Sequence, residues 1–118
     1  MRIFGFTEYG GPEVAGFLDV PAPRPEGDGV LIDVEATTVN PGDIKVRSGQ
    51  RQESFPVRFP MAMGREAVGT IRELGPDAPA DLEVGQRVFG SAAPGIGTFA
   101  EQTVLTGTSA TPLPEELS

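Results

Sequence analysis

The sequence predicts a mainly β domain, a barrel or sandwich of short strands with one or two short helices. Two observations predict this class. The 118 residues include 16 glycines and 12 prolines, too many interruptions for long helices. Short strand-like runs are separated by turn signals about every 8–12 residues, a spacing typical of all-β domains. The length suits one domain with a single modest core.

The predicted strands follow from these patterns in chain order. In the clearest one every second residue from Val30 to Ala36 is apolar, which indicates a half-buried strand with Leu31 on the opposite face from Val30 and Ile32. Further strands are predicted at residues 1–7, 15–20, 67–74, 87–90 and 98–105. Because glycine, proline and polar residues interrupt any period elsewhere, loops are predicted at residues 21–29, 50–63, 77–84 and 91–97.

A short helix is predicted directly after the clearest strand. Asn40 can cap free backbone N–H groups, and Pro41 fits the first helical position, where no donor is needed. Asp43 favours the positive end of the helix dipole, and Gly49 is a suitable C-terminal stop. The helix is therefore about two turns long. A second helix signal begins at residues 114–116.

Composition excludes several classes of function. The net charge of −8 disfavours nucleic acid and anionic membrane as partners. No apolar run approaches the roughly 20 residues needed to span a bilayer. The chain contains no cysteine and no histidine, so a disulfide scaffold and a zinc site built from these residues are excluded. Because the N-terminus lacks the apolar stretch of a signal peptide, we expect a cytoplasmic protein.

Five short segments of the sequence carry a family resemblance. They read YGGPEV at residues 9–14, VNPGD and RSG within residues 39–49, GREAVGTI at residues 64–71, VGQRV at residues 84–88 and GTFAE at residues 97–101. In this order and spacing they resemble the N-terminal, GroES-like domain of medium-chain dehydrogenase/reductases, and the zinc-independent quinone oxidoreductases in particular. The resemblance implies a GroES-like, partly open β-barrel over residues 1–118. Most of the matching residues are turn and strand glycines that identify the fold, and at Gly69 another backbone is expected to come close.

The resemblance implies hydride transfer from NADPH to a quinone or an α,β-unsaturated carbonyl, without zinc. In this family a Rossmann domain that binds the cofactor follows, and we expect it after Ser118, outside the chain. Residues 95–100 formally fit the dinucleotide fingerprint G-x-G-x-x-A, but strand-like residues follow them instead of a helix, so we reject that interpretation. The chain alone is expected to be inactive. The family commonly dimerises through the second domain, so the resemblance is compatible with a homodimer of the full-length protein.

The resemblance also implies the site residues. Zinc relatives place cysteine where this chain has Asn40 and histidine where it has Arg65, and neither asparagine nor arginine is a usual zinc ligand. We expect Asn40, Asp43 and Arg65 to be catalytic and no metal to bind, with Asn40 and Arg47 as cofactor contacts. Asp43 orients the histidine in zinc relatives and is expected to pair with Arg65 here. Two purely structural roles remain as alternatives. Asn40 can be a helix cap, and Asp43 can be an acid at the helix N-terminus.

Other polar and aromatic residues near these positions have two interpretations. Arg47 and Lys45 can either reach a cofactor phosphate or be solvated. Glu66, whose position lies near the metal in zinc relatives, is expected to form a structural salt bridge. Tyr9 and Phe59 are candidates for an aromatic wall of the site or for the core.

A second function class is open, a non-enzymatic GroES-like β-barrel module used for assembly or protein interaction. A co-chaperonin of that kind needs a long mobile loop with an apolar tripeptide. Residues 50–63 supply a loop, but Val57–Pro60 is a poor match for the tripeptide. We therefore expect the substrate-side domain of an oxidoreductase, with a small-molecule quinone or enone as its partner.

Overall fold

The computed structural model of the protein describes residues 1–39, 41–49 and 59–114, with the backbone alone at residues 41 and 42. Eight strands and one α-helix occupy these ranges. The strands are β1 (Arg2–Phe6), β2 (Ala15–Asp19), β3 (Val30–Thr37), β4 (Met61–Ala62), β5 (Glu66–Leu74), β6 (Arg87–Ser91), β7 (Gln102–Leu105) and β8 (Thr111–Pro112), and the helix is α1 (Pro41–Ser48).

The strands form two antiparallel sheets. The first has the order β2–β1–β4 and the second the order β7–β3–β5–β6–β8. This mainly β architecture with one short helix confirms the fold class predicted from the turns and alternating runs. Gly69 on β5 confirms the predicted close approach, because a Cβ there would meet the carbonyl oxygen of Asp33 on β3. Gly85 turns the chain before β6 with a φ of +94°, a conformation that favours glycine.

Two hydrophobic clusters make up the core. The larger lies on the five-stranded sheet and consists of Val30, Ile32, Ala67, Ile71, Leu82, Val88 and Leu105. The smaller lies on the three-stranded sheet and consists of Phe6, Val46, Met61 and Met63. Because Val46 is on α1, the smaller cluster anchors the helix beside β1 and β4.

The predicted alternation of β3 is only partly right. Val30 and Ile32 are fully buried, but Leu31 is also buried, and Ala36 is exposed. The pairing with β5 shifts register between Leu31 and Ile32 and again between Val34 and Ala36. Such irregularities twist a strand and rotate the side chains that follow. A strict two-residue period therefore does not persist along β3.

Two predicted boundaries are wrong. Met61–Ala62, inside the loop predicted at residues 50–63, forms β4 because it pairs with β1; residues 50–58 of that loop lie outside the described ranges. The strand predicted at residues 98–105 begins only at Gln102.

Residues 98–101, which we call the seam, connect the two sheets instead of extending β7. On one side, the Phe4 N–H of β1 donates a hydrogen bond to the carbonyl oxygen of Phe99 at 2.8 Å. On the other side, the Val34 N–H of β3 donates to the carbonyl oxygen of Glu101 at 2.9 Å. Alternate residues of the seam therefore accept hydrogen bonds from two different strands, β1 and β3. An alternating sequence pattern predicts one strand and cannot indicate this division.

Helix α1 follows β3 as predicted. Gly49 comes directly after it with a φ of +88°, which confirms the predicted C-terminal stop. Asp43 and Val46 are buried on its inner face. Asn40 and residues 115–118 lie outside the described residues, so the predicted cap and the second helix stay predictions. Within the described chain, no helix has both the length and the apolar character needed to cross a membrane.

Candidate functional site

The predicted site residues with described side chains lie on α1 and at the start of β5. Asp43 lies in the first half of α1, Arg65 directly precedes β5, and Glu66 begins that strand. The loop at residues 92–97, which we call the clamped loop, follows β6. Asn40 lies outside the described residues, so its catalytic and cofactor roles stay predictions.

Arg65 is half-buried and holds the clamped loop. Its Nη1 donates a hydrogen bond of 2.8 Å to the carbonyl oxygen of Ile96, and its Nη2 donates one of 2.8 Å to the carbonyl oxygen of Ala92. The Ala92 N–H in turn donates to the Arg65 carbonyl oxygen at 2.7 Å. Hydrogen bonds from an ionised donor are about twice as strong as neutral ones. Both ends of the guanidinium therefore bind protein, a role that the sequence did not reveal.

The charge of Arg65 interacts with that of Asp43. Burial lowers the pKa of the Arg65 guanidinium, and the attraction of Asp43, which is only 4% exposed, opposes this shift. The attraction has the sign expected of the predicted pair, while direct hydrogen bonding between the two groups stays a prediction. Because an arginine side chain keeps its proton at physiological pH, a positive charge persists at the start of β5.

The predicted salt bridge of Glu66 is wrong. Among the described residues it forms no ion pair. Its Oε1 instead accepts a hydrogen bond from Thr38 Oγ1 at 3.3 Å, and its carbonyl oxygen accepts one from Thr37 Oγ1 at 2.8 Å. The hydroxyl oxygens of Thr37 and Thr98 lie 2.6 Å apart. Hydroxyl groups take the place of the expected cation, because Thr37 at the end of β3 and Thr38, the next residue, lie beside the start of β5.

The clamped loop has no regular secondary structure, yet most of its carbonyl oxygens accept hydrogen bonds. Besides the two that the guanidinium holds, the Ala93 carbonyl accepts from the Ile96 N–H at 3.1 Å. The carbonyl oxygen of Gly97 accepts from Thr103 Oγ1 at 2.8 Å, and Thr103 is fully buried. These hydrogen bonds favour the observed conformation of the loop, because a conformation that breaks them leaves carbonyl groups without donors.

Arg47, a predicted cofactor contact, joins α1 to the connection between β1 and β2. Its Nε donates to the carbonyl oxygen of Gly10 at 3.3 Å, and the Gly10 N–H donates to the Arg47 carbonyl oxygen at 2.9 Å. The side chain is half-buried, whereas Lys45 is exposed as expected of a solvated cation. The cofactor role of Arg47 stays a prediction.

Tyr9 and Phe59 form an aromatic cluster with Phe6. The rings of Tyr9 and Phe59 lie 5.1 Å apart and those of Phe6 and Phe59 lie 5.7 Å apart, both edge to face. Phe6 is fully buried and Tyr9 packs against the smaller core cluster, whereas Phe59 is 41% exposed. Tyr9 is therefore a partly buried residue at the edge of the core, and Phe59 lies where the core meets a cavity.

That cavity has a volume of about 630 Å³ and borders the clamped loop. Its walls include residues 93–97, residues 59–62 and much of the segment at residues 20–29. Small-molecule sites typically enclose about 300–1,000 Å³, so the cavity is large enough for one. A second, more open groove of about 960 Å³ lies beside the exposed side chains of Phe17 and Val39.

Metal binding by this chain would fall to its acidic side chains. The sequence leaves only aspartate and glutamate as charged ligands, because it has no cysteine or histidine. In the part of the chain that the structure describes, no three acidic side chains come together in a way that could hold a metal ion.

The sequence matches known families and proteins. The family model described as "Alcohol dehydrogenase GroES-like domain" matches residues 26–115. The chain is 37% identical over 118 residues to quinone oxidoreductase of Lama guanicoe, covering 99% of this chain and 34% of that protein. It is 36% identical over 118 residues to quinone oxidoreductase of Homo sapiens, covering 99% of this chain and 35% of that protein. The chain thus spans about a third of the length of these curated relatives.

Solved structures have the same fold. A mycobacterial quinone oxidoreductase superposes with a TM-score of 0.86 at 34% identity, covering 100% of this chain and 35% of that one. A mycobacterial protein solved in complex with NADPH gives a TM-score of 0.84 at 33% identity, again covering 100% and 35%. These likenesses confirm the predicted GroES-like fold and the resemblance drawn from the five sequence segments.

Proposed function

Because the chain belongs to the alcohol dehydrogenase GroES-like domain family, we propose that it forms the substrate-side domain of an NADPH-dependent oxidoreductase. The proposed reaction is hydride transfer to a quinone or an α,β-unsaturated carbonyl, without zinc. One observation carries this proposal, the match to quinone oxidoreductases over 99% of the chain at 37% identity. Because those relatives are about three times as long as the chain, the activity is proposed for a longer protein that contains it.

A conjugated acceptor suits a site without zinc. Reduction of a quinone or enone spreads the developing negative charge over the conjugated system, so hydrogen-bond donors or a cation can stabilise the oxygen in place of a metal. Where zinc relatives have ligands, this chain has Asn40 and Arg65. We propose Asn40 as the amide donor to the acceptor oxygen. Asp43 and Arg65, a pair of opposite charges, support the site without contact with the acceptor oxygen.

NADPH supplies the hydride in the proposed reaction. The glycine-rich residues 95–97 do not form the phosphate-binding turn of a dinucleotide site, because they lead into the seam and β7 and not into a helix. We therefore propose that a further domain holds most of the cofactor. This chain contributes the Asn40 amide and the outer nitrogens of Arg47. The proposed compartment is the cytoplasm, and the proposed assembly is a homodimer through that further domain.

The test uses the full-length protein that contains this chain. We expect NADPH oxidation with 1,4-benzoquinone and with a simple enone, unchanged by a zinc chelator, and none with a saturated ketone. The Asn40→Ala variant should lose roughly 10²-fold in kcat, as expected for removal of one donor to a developing oxyanion. The Gln86→Ala variant removes an amide side chain from the connection between β5 and β6 and should keep full activity.

Two outcomes would contradict the proposal. Equal turnover of a saturated ketone and a quinone would remove the argument from conjugation, and full activity of Asn40→Ala would remove the proposed donor. The 118-residue chain alone should show no NADPH oxidation above background, because most of the cofactor site is proposed to lie outside it.

A further inference from the structure

We propose that Arg65 is a positioning residue, one that fixes the clamped loop and thereby selects which acceptors bind. The part of this inference that concerns acceptors rests on the proposed function, whereas the part that concerns the loop stands on this chain alone. A positioning role differs from the catalytic role that the resemblance implied for Arg65.

The geometry of the guanidinium is the first argument. Its two terminal nitrogens bind carbonyl oxygens four residues apart, those of Ala92 and Ile96, each at 2.8 Å. A planar fork fixes both the spacing and the orientation of two acceptors, whereas the ammonium of a lysine is a point donor on a flexible stem. Arg65 therefore holds Ala92 and Ile96 at a fixed separation, in addition to supplying a charge.

The far end of the loop is fixed in a different way. A Cβ on Gly97 would collide with the backbone of Ala62 and Met63, so this end packs backbone against backbone. The Thr98 N–H also donates to the Met63 carbonyl oxygen at 2.9 Å. Close packing fixes Gly97, and the residues before it are held by Arg65 together with the Ala93 N–H, which donates to the Val104 carbonyl oxygen at 2.8 Å.

Residues 93–97 of the clamped loop line the cavity of about 630 Å³. Pro94 and Ile96 of the clamped loop lie in its wall together with Phe59 and Met61. These four side chains are apolar, and an aromatic and a proline ring offer flat surfaces to a planar ligand. The lining also includes the polar residues Arg24, Glu26 and Gln102. As the acceptor site of the proposed function, the cavity therefore fits a planar ring system that is larger than a single ring and carries polar groups. A shift of the loop by about 1 Å is enough to change the binding of such a rigid ligand.

The first measurement is amide hydrogen exchange in the full-length protein without substrate. In both Arg65→Met and Arg65→Lys, the N–H groups of Ala93 and Ile96 should exchange about tenfold faster or more, while those of β3 keep their rates. Arg72→Met, which removes an exposed arginine from β5, should leave the loop unchanged. Unchanged exchange in Arg65→Met, or full protection restored by Arg65→Lys, would overturn the positioning role.

The second measurement separates positioning from direct contact with the acceptor. In Arg65→Lys, we expect KM for a bicyclic naphthoquinone to rise about tenfold more than KM for 1,4-benzoquinone, with kcat and KM for NADPH little changed. An equal loss of kcat for both quinones would show contact with the reacting oxygen and would overturn the proposal. If the wild-type protein reduces no quinone at all, the proposed function fails, while hydrogen exchange still decides the role of Arg65 in the loop.

Discussion

Replacing Thr103 with valine should destabilise the protein by about 1–3 kcal/mol, although the two side chains have nearly the same shape. Thr103 is fully buried, and its hydroxyl donates to the carbonyl oxygen of Gly97 at 2.8 Å. The valine removes the donor and leaves a buried carbonyl oxygen without its partner. For a protein of this size, a loss of about 2 kcal/mol lowers the urea midpoint by roughly 1 M, since the slope is about 1–3 kcal/mol per M.

Two control variants make the assay specific. Thr103→Ser keeps the hydroxyl and loses one methyl group, so it should cost only about 0.8 kcal/mol plus a small cavity. Thr70→Val removes an exposed hydroxyl that donates to Glu35 and should change stability by less than about 0.5 kcal/mol. Equilibrium urea unfolding followed by far-UV circular dichroism gives all three values. If Thr103→Val proves at least as stable as Thr103→Ser, the hydrogen bond to Gly97 does not stabilise the loop as argued.

Three further predictions concern packing, charge and metal. Gly69→Ala should lower the free energy of unfolding in urea by about 1–3 kcal/mol, because the new Cβ meets the Asp33 carbonyl oxygen. Gly16→Ala, where no atom lies near the new Cβ, should leave the stability almost unchanged. Equal stability of the two variants would contradict this. The hydrogen bond from Arg87 holds the pKa of Glu35 below its ordinary value, so the ion pair stabilises the fold fully above that value and the stabilisation is lost as pH falls through the lowered pKa. Glu35→Gln should therefore flatten the loss of stability between about pH 5 and pH 3, and an unchanged profile would count against the pair. Elemental analysis of untagged protein should find no stoichiometric zinc, and one tightly bound zinc per chain would refute the argument from composition.

The sequence predicted most elements because their signals are local. Alternation and turn residues located β1, β2, β5 and β6 to within a residue or two, and Gly49 marked the end of α1. Leu31 was assigned to the wrong environment because the register shifts of β3 depend on its neighbours. Met61–Ala62 was missed as a strand since two residues carry no period, and only the pairing with β1 makes them one.

The candidate site was harder to predict because its contacts join distant residues. The carbonyl groups that Arg65 binds belong to residues 27 and 31 positions away, and any residue type could supply them. Glu66 was expected to meet a cation, but its partners are hydroxyl groups at the end of β3. The buried Thr103 offered a signal, since a threonine within an apolar strand pattern needs an acceptor somewhere in the fold.

The seam at residues 98–101 affects how the protein comes apart. Each sheet has its own core cluster, and the hydrogen bonds of Phe99 and Glu101 connect one to the other. When these bonds open, the three-stranded sheet, which has the smaller cluster and a strand of only two residues, can separate while the five-stranded sheet stays folded. Heat or a protease should therefore release the N-terminal hairpin first and leave a stable remnant around β3 and β5.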